Sequence, residues 1–176
     1  MSRRPLRLAA LVAAAALVAG CQAPGTAAVV NGERITDREV TEFVEDQNRI
    51  LPQNPVTLAD GVTSLTFERI MTPVAASYDV GISDQQAVEL INQTLVSMGE
   101  PEVTEADLSQ AVIDVYRAIL FTFEMQTSEI GGELAVAMQD AIMEADVEVN
   151  PRYGLQGSDG VLFEPLLHPW IAGAVG

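Results

Sequence analysis

The sequence predicts a mainly α-helical domain, about five helices closed by a small two-stranded sheet. Between residues 36 and 145, successive stretches place apolar side chains at i, i+3, i+4 and i+7, the spacing of one helix face. Capping boxes open two of these stretches and Pro or Gly closes them, so the chain is punctuated as separate helices. The two short segments that read as strands, 27–30 and 147–149, lie at opposite ends of the helical region.

The first element is Ala27-Ala28-Val29-Val30, an apolar run that reads as a strand, stopped by Asn31-Gly32. Asn-Gly marks a turn needing positive φ. Thr36-Asp37-Arg38-Glu39 fits a capping box for a first helix with Val40, Phe43, Val44, Ile50 and Leu51 on one face, ended by Pro52 and Pro55. A second helix is predicted from about Val62 to Asp79, where Phe67, Ile70, Met71, Val74, Ala75 and Tyr78 form the apolar stripe. Pro73 inside it removes a backbone hydrogen bond, so a kink or a division in two is expected.

Ser83-Asp84-Gln85-Gln86 opens a third helix reaching Met98, with Gly99 and Pro101 as its stop. Thr104 is the expected cap of a fourth helix carrying Leu108, Val112, Val115, Ile119, Leu120 and Phe123. A fifth runs from about Ser128 to Ala145. Val147-Glu148-Val149 then alternates as a second strand. A lone strand leaves its backbone groups unsatisfied, so the two strands are expected to pair and bring the domain's ends together. Residues 155–176 read as an irregular tail with apolar anchors at Leu162, Phe163, Leu166 and Trp170.

Ahead of this domain, Arg3, Arg4 and Arg7 precede the apolar run Leu8 to Val18, the anatomy of a secretory signal. The run is too short for the ~20 apolar residues that span a bilayer. Val18-Ala19-Gly20-Cys21 resembles the bacterial lipobox, which implies cleavage between Gly20 and Cys21 and a diacylglyceryl thioether on Cys21. The expected organisation is therefore a signal peptide over residues 1–20, a tether over 21–26, a helical domain over 27–154 and the tail.

Loss of residues 1–20 removes three of nine basic residues and none of 25 acidic ones, leaving 6 − 25 = −19. Such a charge repels phosphate backbones and anionic headgroups, which argues against a nucleic-acid partner and leaves membrane attachment to lipid. One acyl chain binds marginally and two bind stably, at ~0.8 kcal/mol per buried methylene. With Cys21 lipidated, no thiol remains for disulfides, and stability must come from packing. The folded region has one histidine, His168, and no lysine, which argues against a serine-hydrolase triad. The carboxylates fall on wet helix faces and helix starts and no calcium-loop pattern occurs, so neither an enzyme, nor a metal, nor a cofactor is expected.

The order of strand, Asn-Gly turn, capped helix and longer apolar helix, followed by Gly81-Ile82-Ser83-Asp84-Gln85-Gln86, resembles the N-terminal domain of the SurA chaperone and the peptide-binding segments of foldase lipoproteins and trigger factor. Ala28-Val29-Val30-Asn31-Gly32-Glu33-Arg34-Ile35-Thr36 is similar to that family's opening strand and turn. With its lipobox, the whole resembles an actinobacterial-type lipoprotein carrying a SurA N-terminal-like domain without the parvulin isomerase domain. The resemblance implies an apolar cradle for unfolded or exported polypeptides and no isomerase activity.

The function expected from these features is a lipid-anchored protein on the extracytoplasmic face of the cell membrane that binds client polypeptides as a non-enzymatic chaperone. An accessory subunit of a foldase or secretion machinery, and a structural envelope lipoprotein, are the alternatives. The candidate client-binding residues are Met71, Tyr78, Met98, Tyr116, Phe121, Phe123 and Met125, because thioethers and aromatic rings repack around varied partners. At helical spacing the same residues also suit an ordinary core.

Overall fold

The computed structural model describes residues 24–153. The expected signal peptide, residues 21–23 of the expected tether with Cys21, residue 154 of the expected domain and the expected tail over 155–176 lie outside these residues. Strands β1 (Thr26–Val30) and β2 (Glu33–Thr36) form a hairpin, helices α1 (Asp37–Ile50), α2 (Leu58–Ser77), α3 (Asp84–Ser97), α4 (Gln110–Thr127) and α5 (Gly131–Glu144) follow, and β3 (Val147–Val149) closes the fold. The predicted mainly helical class holds, with one correction. The sheet has three strands in the order β2-β1-β3, antiparallel throughout. The unforeseen strand, β2, buries only Ile35 fully, so it lacks the apolar alternation that betrays a half-buried strand.

The Asn-Gly turn is a two-residue hairpin with φ of 51° at Asn31 and 83° at Gly32, the double positive φ that matches strand twist. Asn31 also ties the two ends of the domain together. Its backbone N–H donates to the Asp146 carbonyl at 2.8 Å, and its side-chain oxygen accepts from the Asp146 N–H at 2.9 Å. With Ala28 opposite Val149 and Val30 opposite Val147, the expected pairing of the terminal strands is present.

The capping boxes at Thr36 and Ser83 form as predicted, each hydroxyl accepting from the N–H three residues on while the Glu39 or Gln86 side chain reaches back. Three helix starts differ from expectation, α5 among them, which begins at Gly131 rather than near Ser128. Helix α2 begins at Leu58, a turn early, because Thr57 and Asp60 make a further box behind Pro52 and Pro55. The Thr104 box is real but closes on a 3-10 turn over Glu105–Asp107, after which Leu108 is extended. Helix α4 starts instead at Gln110, where the Asp46 carboxylate of α1 accepts from the Ser109 N–H at 2.6 Å. A carboxylate suits the positive end of a helix dipole.

Helix α2 runs through Pro73 as a single helix, so the expected division does not occur. It packs against α1, α4, α5 and the sheet and is enclosed on several sides, with Ser64, Thr66 and Glu68 buried beside Val62, Leu65, Ile70 and Met71. Neighbours on several sides hold such a helix although one backbone bond is missing. Gly61 marks its closest approach to α1. A Cβ there would lie 2.7 Å from Val44 Cγ2 and 3.3 Å from Val40 Cγ1. Gly61→Ala is accordingly expected to be destabilising on a denaturant melt, overpacking of about 1–3 kcal/mol outweighing the ~1 kcal/mol gained in helix propensity.

Candidate functional site

Two concave surfaces flank the central pair α2 and α4. The smaller, about 370 Å³, lies between the C-terminal half of α2, the link from Asp79 to Ile82, and α4. Its floor is Met71 and Phe121, both core residues. Its walls are mostly small, with Ala75, Ala76, Gly81 and Ala118, so the void is what larger side chains would otherwise fill. Asp79 turns the chain with φ of 54°, a left-handed conformation that a short polar residue tolerates.

Arg117 sits on the rim and holds the link in place. Its Nε–H donates to the Ile82 carbonyl at 2.8 Å, and its guanidinium pairs with Asp114 at 3.2 Å and Asp84 at 3.4 Å. One side chain thus joins α4, the link and the start of α3. The result is a preformed apolar slot with a charged edge.

The larger cleft, about 650 Å³, is bounded by α1, α2, α4 and the end of the sheet. It is lined by charge, and the charge is largely internally matched. Arg69 pairs with Glu68 at 2.5 Å, Glu39 at 2.8 Å and Glu33 at 3.2 Å, joining α2 to α1 and β2. Glu39 also completes the Thr36 box with its second oxygen, so capping and ion pairing share one carboxylate. Burial works to lower the Arg69 pKa, but the three carboxylates outweigh it and hold the guanidinium charged.

Glu68 is nearly sealed from water. Burial pushes its carboxyl above the ordinary value, opposed by Arg69 and by a hydrogen bond from the Thr72 hydroxyl at 2.8 Å, and Asp114 adds to the rise. A carboxyl raised in the folded state contributes most to stability below its unfolded pKa of about 4.3, and that contribution is lost as pH climbs through the folded value. Glu68→Gln retains an acceptor for Thr72 and removes the buried charge. In thermal melts its Tm is expected to exceed the wild type's at pH 8, the difference vanishing towards pH 4. Asp46 acts in the opposite sense: burial raises it, but Arg49 and Ser109 outweigh burial and hold it low.

The candidate residues do not gather on one surface. Met71, Tyr116 and Phe121 are buried, Tyr78, Phe123 and Met125 are half-buried against the core, and Met98 is 37% exposed at the end of α3. Of the seven, Met71 and Phe121 meet in the smaller cleft. Burial pushes the Tyr116 hydroxyl up to about 12, against a hydrogen bond from Gln47, which marks it as a core group. Arg117 and the alanines of the slot are additions that sequence reasoning misses. The available signal is a lone arginine three residues after Asp114 in an otherwise apolar helix.

Apolar surface also lies on α5, whose only buried residue is Leu134 and whose outer side carries Val136 at 58% and Met143 at 75% exposure. Among the described residues, no group of three or more metal-ligating side chains occurs, and no helix is long and apolar enough to cross a membrane. Comparison of the chain with protein-family models, curated proteins and solved structures finds no match.

Proposed function

We propose that this chain is a lipid-anchored extracytoplasmic protein that binds unfolded or exported polypeptides without chemical turnover, on a SurA N-terminal-like domain. The observation that carries the reading is the slot floored by Met71 and Phe121. It has the modest volume and the apolar lining of a site for one or two large side chains of an extended segment. Its recognition is shape-tolerant, since a thioether at the floor adapts to different occupants. The exposed methionine and valine of α5 add apolar surface elsewhere on the domain. The acidic exterior keeps the protein dispersed while a client is held and favours basic clients.

The lipobox-like Val18-Ala19-Gly20-Cys21 and the preceding apolar run support the membrane location. The test is light scattering of several aggregating clients with the unlipidated mature chain, residues 22–176. Equimolar protein is expected to slow aggregation. Unchanged aggregation across all clients overturns the chaperone reading, and capture of one fixed stoichiometric partner instead favours the accessory role.

A further inference from the structure

The slot lies within reach of an apolar segment of the same chain. Residues 161–171 carry Leu162, Phe163, Leu166, Leu167, Trp170 and Ile171 with one carboxylate, Glu164, although the whole sequence has 25 acidic residues. A segment of that composition needs cover in water. We propose that residues 161–171 dock on the α2–α4 slot as its intramolecular occupant, with Trp170 the large side chain seated in it, and that a client segment must displace them. The second half of this proposal rests on the client-binding reading.

The chain beyond Tyr153 is long enough to reach the slot. Tyr153 is fixed by its hydroxyl, which donates to Asp37 at 2.8 Å. Asp37 lines the larger cleft together with Leu65 and Arg69 of α2. From Arg69 to Ala76 the helix advances only about 10 Å, at ~1.5 Å per residue. Residues 154–160, with three glycines, span up to about 23 Å when extended. Pro165 and Pro169 in the segment disfavour a helical occupant.

The slot's small walls and large floor leave room for bulky side chains, which the segment supplies. Tethering through so short a linker sets an effective concentration on the order of millimolar, so even a weak contact keeps the slot largely filled. The apparent affinity for a client then falls in proportion to the fraction of open slot. The tail thereby sets a threshold that a client must exceed.

Trp170 is the chain's only tryptophan, so its emission reports this contact alone. In the unlipidated mature chain, residues 22–176, its emission is expected to be blue-shifted, with acrylamide quenching severalfold weaker than in denaturant. Ala76 and Gly81 are exposed positions on the slot, and a Cβ at Gly81 meets nothing within 4 Å. Ala76→Glu and Gly81→Glu should each shift the emission to the red and raise quenching severalfold, with far-UV circular dichroism unchanged.

A water-exposed Trp170 in the wild type overturns the proposal, as does a shielded Trp170 that neither variant moves. Shielding that weakens on dilution assigns the contact to a second copy and overturns the intramolecular assignment. Deleting residues 154–176 should strengthen client binding severalfold. If Trp170 is shielded and responds to both variants while neither form slows client aggregation, the docking stands and client binding falls. If clients are bound while Trp170 is exposed, client binding stands and the docking falls.

Discussion

Cys21→Ser is expected to abolish lipid attachment: palmitate labelling is lost, and the protein appears either as an uncleaved precursor or, if cleaved, in the soluble fraction. The size of this effect follows from the charge of the mature chain, near −19, in which no basic cluster is available to hold anionic lipid. Two acyl chains bind a membrane stably where one binds marginally, at ~0.8 kcal/mol per buried methylene. Without the proposed thioether, that charge balance offers the membrane no comparable attraction. Precursor cleaved after Gly20 and still membrane-bound in the serine variant would sink the assignment.

Phe121→Ala is expected to cost about 3–5 kcal/mol of folding stability. Its ring is 1% exposed and belongs to the main core. The deletion leaves a cavity between α4 and α2 that the helices close only in part. Against a typical total of ~5–15 kcal/mol the loss is large, and urea melts should show a lower midpoint with little change in m-value. Met98→Ala, at a partly exposed position, should stay within about 0.5 kcal/mol. A near-neutral Phe121→Ala would mean that the ring does not carry the core packing assigned to it.

The same pair shows what the sequence can and cannot disclose. Helix number and order are legible because local chemistry writes them. The Thr36 and Ser83 boxes, the Asn31-Gly32 turn and the i, i+3, i+4 stripes each need only a few neighbouring residues. Strand β2 is hidden because three of its four residues are polar and the signal for it lies in pairing with Thr26–Val30. The Thr104 box is legible as chemistry and misleading as the start of α4, since Asp46, 63 residues away from Ser109, supplies the helix's real start.

The slot is less legible still. Met71 and Phe121 stand out by side-chain type, and nothing local separates Met71 from Met98. Whether a methionine forms a floor, fills a core or faces water depends on which helix crosses it, and that is decided by residues far away in the chain. Pro73 makes the same point in reverse. The local rule predicts a kink or a division, and of the two the division is excluded, since packing on several sides holds α2 as one piece.

The pairing of β1 with β3 has a mechanical consequence. The start of β1 lies beside the end of β3, Ala28 facing Val149, so the residues just ahead of β1 and just after β3 lie at one pole of the domain. A pull between Tyr153 and the residues ahead of β1 loads the Tyr153–Asp37 hydrogen bond first, then the Asn150 contacts with Ala27 and Thr26, then the β1–β3 bonds in sequence. It is an unzipping geometry, in which bonds yield singly, rather than a shearing one in which they share the load. Once the hold of Tyr153 on the start of α1 has given way, force along that axis strips β3 from the sheet one bond at a time.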